Sequence, residues 1–250
     1  ILNIVKPGEV SRVWLNCPPR QATLREVAAT FGYVASQSSS NDLQKIAAKW
    51  RLTERNWATC RATLATVGRI VLPDLPPEFR HVDQQFSILR PDGQRVLVPL
   101  FKLESLLAPM LGCLPGRGGV MVPIRKEYEE HLLADSPQDS LLPQGKAQLS
   151  PWRHYLSDKK TLKNFSRGDL IFFYETVKNK GAGAVIGVGR VLRVYLRDEA
   201  GMQTSDLAPS VLDSDHLSSI GTSKTKTITV FDNMLRLSRP VPLHELKSMR

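Results

Sequence analysis

The side chains with most chemical potential are basic and aromatic, and they crowd into residues 145–197. The cations there are Lys146, Arg153, Lys159, Lys160, Lys163, Arg167, Lys178, Lys180, Arg190, Arg193 and Arg197, against Asp158, Asp169 and Glu175. Trp152, Tyr155, Phe165, Phe172, Phe173, Tyr174 and Tyr195 lie among them. Cations beside exposed rings suit phosphates and stacked bases. The run LIFFYE alternates faces if it is a strand, so about half of its rings face a core whatever the chain does. Trp152 and Tyr155 lie outside the strongest strand patterns and are the better candidates for a pocket wall.

Other chemistries find less support. The five histidines, His81, His131, His154, His216 and His244, form no H-E-x-x-H motif, and the chain has no C-x-x-C pair, so no metal site is expected. No G-x-S-x-G elbow occurs, and no catalytic residue is assigned. Cys17, Cys60 and Cys113 are odd in number and widely spaced, which argues for a reducing compartment and against a disulfide scaffold. LPGRGGV lacks the Lys-Ser/Thr of a nucleotide-binding loop and reads as a connector. The run Lys178-Asn-Lys-Gly181-Ala-Gly183 resembles the pyrophosphate loop of GNAT acetyltransferases. That loop works at a helix start, whereas AVIGVGRVLRVYL is β-branched and suits a strand. The run is therefore read as a hairpin turn, and no cofactor is expected.

The elements that must position these residues fall into three stretches. Residues 1–75 read as mainly helical after a short strand at VWLN. One helix starts near Thr23, with Glu26 at capping-box spacing and Leu24, Val27, Ala28 and Phe31 on one face. A second is expected from Asn41 or Asp42, with Leu43, Ile46, Ala47 and Trp50 at i, i+3, i+4, i+7, and a third from Thr53 through Trp57, Cys60, Leu64 and Val67. The last two, about three residues apart, have a helix-turn-helix layout, with Arg51, Arg55, Arg61 and Arg69 in or beside the third helix. Arg55 and Arg61 would then reach a DNA groove. The alternative is a helical hairpin that packs against a neighbouring domain. Residues 76–119 read as a connector, with LPDLPPEF extended, a β-hairpin turning at Arg90-Pro91-Asp92-Gly93 and a short helix at FKLESLLAPML. Residues 120–250 are strand-rich, with a polar loop at 198–223.

Composition is that of an ordinary globular protein: 250 residues, 42% hydrophobic and 23% charged. A net charge of +10 favours an anionic partner. No run of 18 apolar residues exists, so no membrane partner is expected, and ILNIVKPGEV lacks the flanks of a signal peptide. A cytoplasmic location is expected. The chain opens on Ile1 rather than Met, as a piece of a longer protein would.

The order Trp152-Arg153-His154-Tyr155, Lys159-Lys160, Arg167-Gly168-Asp169-Leu-Ile-Phe-Phe-Tyr174-Glu175 and Val185-Ile-Gly-Val-Gly-Arg-Val191 resembles EVE-type domains of the PUA-like fold, over residues 120–245. His154 stands where that family commonly has Asn. The resemblance implies a small β-barrel that accepts a base, often a modified one, beside Trp152, Arg153, His154 and Tyr155. It places Lys159 and Lys160 against the phosphate backbone. Tyr174, Lys178 and Arg190 complete the expected nucleic-acid contacts. The stretch LESLLAPMLGCLPGRGGVMVPIRKEY, with SLLPQGKAQLSPWRHYLS, is also similar to the region before a PUA-like domain in some bacterial GNAT-related proteins.

The expected architecture is α+β: a helical 1–75, a 76–119 connector and a PUA-like barrel at 120–250. The expected function is binding of RNA or DNA. Two alternatives stay open: an accessory region of an acetyltransferase whose core lies upstream, and an interaction module for an acidic protein.

Overall fold

A computed structural model describes residues 10–30, 33–36, 38–68, 70–89, 93–133, 152–210, 212 and 214–248. The chain divides between Arg117 and Gly118 into two compact units.

The first unit runs β1 (Val10–Asn16), α1 (Ala22–Thr30), β2 (Val34–Ala35), β3 (Asp42–Ala48), β4 (Arg51–Leu52), α2 (Trp57–Gly68), β5 (Gln85–Leu89), β6 (Arg95–Pro99), α3 (Leu100–Leu107) and β7 (Leu111–Gly112). It is a mixed unit rather than a helical one, because the expected second helix is strand β3. β3 lies between β1 and β2, antiparallel to both. Leu43 and Ala47 enter a core with Val13, Cys17, Ala28 and Tyr33. Ile46 and Ala48 belong to a second core with Trp57, Leu64 and Leu103. β3, DLQKIAA, is not a continuous apolar run, and its apolar residues on the two faces, Leu43 and Ala47 against Ile46, together satisfy helical spacing. With β3 a strand, there is no helix-turn-helix in 41–68. Asn56 Oδ1 accepts from the Thr53 backbone N–H at 2.7 Å, at the start of a short 3-10 turn that leads into α2.

Residues 76–117 are not a connector. β5 and β6 pair as an antiparallel hairpin, and Phe86, Val98, Leu100 and Leu103 are buried with Leu52, Trp57 and Leu64. Of the expected turn, Arg90, Pro91 and Asp92 lie outside the described residues, as do Phe31 of the first expected helix and Arg69.

The second unit runs β8 (Gly119–Ile124), α4 (Lys126–Leu133), β9 (Arg153–Asp158), β10 (Leu170–Glu175), β11 (Ala184–Asp198), α5 (Thr204–Leu207), β12 (Thr225–Pro242) and α6 (Leu243–Ser248). One five-stranded sheet has the order β8-β10-β11-β12-β9. β10 and β11 are antiparallel neighbours joined across 176–183, and residues 184–198 form a strand, which removes the helix start an acetyl-CoA loop would need. No ladder joins β8 to β9 among the described residues, so the expected barrel is not closed by backbone pairing. The sheet instead curls until Tyr155 Oη, on β9, donates to Pro123 O, on β8, at 3.1 Å. β11 bends at three register shifts against β12. Gly187 is needed within that bend, because a Cβ there would meet both Leu133 methyl carbons at 2.9 Å.

The curled sheet separates two apolar clusters. Val122, Ile124, Leu132, Leu133, Phe165, Ile171, Phe173, Ile186, Val191 and Phe231 fill one, with Tyr155 and Val194 packed against it. Leu156, Leu217, Ile228 and Val230 form the other, with Leu192, Tyr195, Met202, Leu207, Leu212 and Ile220 around it.

Candidate functional site

Alternation along β9 decides what its residues can reach. Arg153 and Tyr155 share one face of the strand, and His154 and Leu156 the other. The four residues expected to line one pocket are therefore divided. Trp152 precedes the strand and keeps 43% of its surface exposed. Arg153 is buried, with Nη1 donating to Leu132 O, and burial pulls its pKa down to about 10. Burial pushes Tyr155 up to about 12. Both are interior groups of the curled sheet.

His154 faces the second cluster. Its Nδ1 lies 2.8 Å from Asp206 O, and its backbone N–H donates to Pro209 O at 3.0 Å. Nε2 is buried without a hydrogen-bond partner. Burial lowers its pKa; the Asp206 carbonyl and carboxylate oppose this, and Arg193 adds to it.

The register across β11, β12 and β9 builds the surface around His154. Arg193 pairs with Val230, and Val230 with His154; Tyr195 pairs with Ile228, and Ile228 with Leu156; Arg197 pairs with Lys226, and Lys226 with Asp158. Arg193, Tyr195 and Arg197 thus stand two residues apart on one face. The Arg193 guanidinium lies 5.5 Å from the Tyr195 ring centroid and that of Arg197 lies 5.6 Å from it, both within cation–π range. Arg193 is exposed.

Asp206, from α5, closes this group. Tyr195 Oη donates to its Oδ1 at 2.7 Å, the Gln203 backbone N–H donates to Oδ2 at 3.0 Å, and Arg197 Nε lies 3.0 Å from Oδ2. Burial alone would raise the Asp206 pKa, but the Tyr195 hydroxyl, the Gln203 N–H and the Arg197 charge together hold it below the usual carboxylate value. Burial, with the hydrogen bond to Asp206, pushes Tyr195 up to about 12.

The other expected contacts lie apart. Lys159 and Lys160 are exposed in a 3-10 turn, Lys159–Asn164, just after β9, where Asp158 Oδ1 accepts from the Lys160 N–H at 3.1 Å. Tyr174, half-buried, and Lys178, exposed, sit by the β10–β11 turn. β11 runs from that turn to the end where Arg197 faces Lys226, so the two lysine groups occupy opposite ends of the sheet. Arg190 is fully buried on Asp232 and presents no charge to a ligand. In the first unit Arg55 is exposed and Arg61 is ion-paired with Asp74.

Arg193, Tyr195 and Arg197 were absent from the expected contacts, although their spacing by two on a strand carries the signal. Asp206 lies in a polar stretch with no such pattern. Among the described residues no cluster of three or more His, Cys, Asp or Glu could hold a metal ion, and no helix is long and apolar enough to cross a membrane.

No curated protein matches the chain. Among solved structures it is similar to an ASCH protein from Zymomonas mobilis, at 14% identity over 54% of this chain and 80% of that one, TM-score 0.40. A point mutant of that protein gives 12% identity over 54% and 82%, TM-score 0.40. A Pseudomonas putida protein gives 21% identity over 45% and 73%, TM-score 0.25. Residues 132–250 match the EVE domain family, a span that takes in β9 to β12 and the whole His154–Asp206 group. That match, on the sheet just described, makes residues 132–250 of this chain an EVE domain.

Proposed function

We propose that the EVE unit binds nucleic acid on the face that carries Arg193, Tyr195 and Arg197. The stacked Arg–Tyr–Arg group is the observation that supports this most. Guanidinium planes stack on bases and also pair with phosphates, so one face can do both. Trp152 offers a further stacking ring, and Lys159 and Lys160 supply phosphate contacts beyond Asp158. The finer reading is that a base, plain or modified, is drawn out of its stack against Trp152, with His154 Nε2 facing a base edge. Stacking and hydrogen bonds then offset an unstacking cost of a few kcal/mol.

The test is a panel of RNA and DNA single strands, with and without modified bases, titrated at two salt concentrations. The parent should lose affinity steeply with salt, because bound phosphates release counterions. Arg193→Ala, at an exposed position, should lower the salt slope by about 0.7, the single-strand value for one phosphate contact. Binding that ignores salt, or an Arg193→Ala protein indistinguishable from the parent, overturns the reading. An acidic protein as partner would leave the whole panel unbound.

A further inference from the structure

β8, β10 and β12 all run the same way: β8 is parallel to β10, and both β10 and β12 are antiparallel to β11. Each therefore delivers the segment that follows it to one end of the sheet. Thr176 N–H, just past β10, donates at 3.0 Å to the carbonyl of Ile124, the last residue of β8, and α6 starts with Leu243 N–H on Gly183 O at 3.3 Å. Lys126 opens α4, Lys178 and Lys180 occupy the turn after β10, and Lys247 lies on α6. All four lysines are exposed, and none makes an ion pair among the described residues. The acidic side chains described there are already engaged: Glu127 with Arg125, Glu129 with Arg236 and Glu245 with Arg239, while Glu175 is buried.

The turn that carries two of these lysines is tied down. Glu175 Oε2 accepts from the Ala182 N–H at 2.5 Å, and a Cβ on Gly181 would overlap Thr176 O, so the turn packs tightly on the end of β10. Lys180 sits in it at φ 62°, a left-handed conformation in which Gly or Asn is the ordinary residue. Lysine fits that backbone less well than glycine, so what it adds there is its charge.

We infer that this lysine end is a second contact for a phosphate backbone, and that one strand runs along the sheet from Lys178 and Lys180 to Lys159 and Lys160. β11 joins the two ends with 15 residues, about 45 Å at about 3.3 Å each before its bends. At about 3.4 Å per stacked nucleotide, a strand of about 13 reaches both ends and one of about 4 reaches only one. The inference rests on the proposed function for the class of ligand, and adds its length and path. A membrane surface fits less well, because Val177 is the only large apolar side chain exposed at this end among the described residues.

The experiment titrates the full chain with mixed-sequence single strands of about 4 and about 20 nucleotides, at two salt concentrations. Lys178→Ala with Lys180→Gly should bind the short strand as the parent does and the long strand more weakly, with the long-strand salt slope lower by about 1.4, two contacts at the single-strand value. Its melting temperature should be no lower than the parent's, since glycine relieves the left-handed backbone. Should that variant not fold, Lys126→Ala with Lys247→Ala, which leaves the turn intact, decides by the same titration. Parent-like binding of the long strand, or equal losses on short and long strands, overturns the lysine end. Arg193→Ala should weaken both lengths. A silent Arg193→Ala beside a length-dependent loss at the lysines keeps this end and refutes the Arg193 face, and the opposite pattern keeps the face and refutes the end. A parent that binds neither strand but binds phosphatidylserine vesicles overturns both.

Discussion

Arg190 and Asp232 face each other across β11 and β12 in a two-point ion pair, Nε to Oδ1 at 2.9 Å and Nη2 to Oδ2 at 2.7 Å. The arginine side chain is wholly buried, the aspartate 19% exposed. Removing one member of such a pair strands the other charge in the interior, at a cost of about 3–5 kcal/mol. Arg190→Met should therefore lower the unfolding free energy by about that amount, read from a urea midpoint. Adding Asp232→Leu should recover part of it. A loss under about 1 kcal/mol for Arg190→Met would show that the pair is not needed for stability.

Burial holds the His154 pKa below its ordinary 6.5. The unfolded chain then takes up a proton near pH 6.5 that the folded chain refuses, so stability falls as pH drops through that value. The slope is at most about 1.4 kcal/mol per pH unit. His154→Gln should flatten the fall between pH 7 and pH 5 in urea midpoints. Equal slopes in parent and variant would show that His154 takes its proton as readily folded as unfolded.

Lys45 gives the mirror case at alkaline pH. It lies on β3 between Leu43 and Ala47, which point into the apolar cluster of the first unit, and burial lowers its pKa to about 8 from 10.5. Between those values the unfolded chain holds a proton that the folded chain has released. Stability should therefore rise from pH 8 to 10.5, by about 3 kcal/mol at most. Lys45→Met should abolish that rise. Denaturation at pH 7.5, 9 and 10.5 checks it, and a parent whose midpoint stays flat over the range removes the burial argument.

Legibility in the sequence followed burial geometry. β10 and β11 were readable because LIFFYE and AVIGVGRVLRVYL are too β-branched and aromatic for anything but strand, and the glycine-bearing run between them can only turn. β3 was not readable. Leu43, Ile46 and Ala47 satisfy helical spacing, yet they feed two different cores on opposite faces of one strand. No local pattern reports that a strand will be covered on both sides. The site divided in the same way. Trp152, His154 and Tyr155 are adjacent in sequence, but strand alternation sends His154 away from Arg153 and Tyr155. Arg190, counted among the cations, sits opposite Asp232, 42 residues on, and only the β11–β12 register reveals that partner. Asp206 reaches Tyr195 through a turn whose path no spacing rule encodes.

Trp152 against Lys159 and Lys160 separates base reading from charge attraction. Trp152 is 43% exposed, so Trp152→Ala opens no deep cavity and should leave the melting temperature close to that of the parent. If a base stacks on its ring, the loss is about 1–3 kcal/mol, or about 5- to 150-fold in affinity for a preferred strand. Lys159 and Lys160 are exposed, and in the proposed function they contact phosphates only. Replacing both with Ala should weaken every strand alike and lower the salt slope by about 1.4, two contacts at the single-strand value. The two outcomes differ in kind: one changes which strand is preferred, the other changes all strands and the salt response. A folded Trp152→Ala protein that binds the whole panel as the parent does would remove the base-stacking role, while the lysine result would still report on the phosphate contacts.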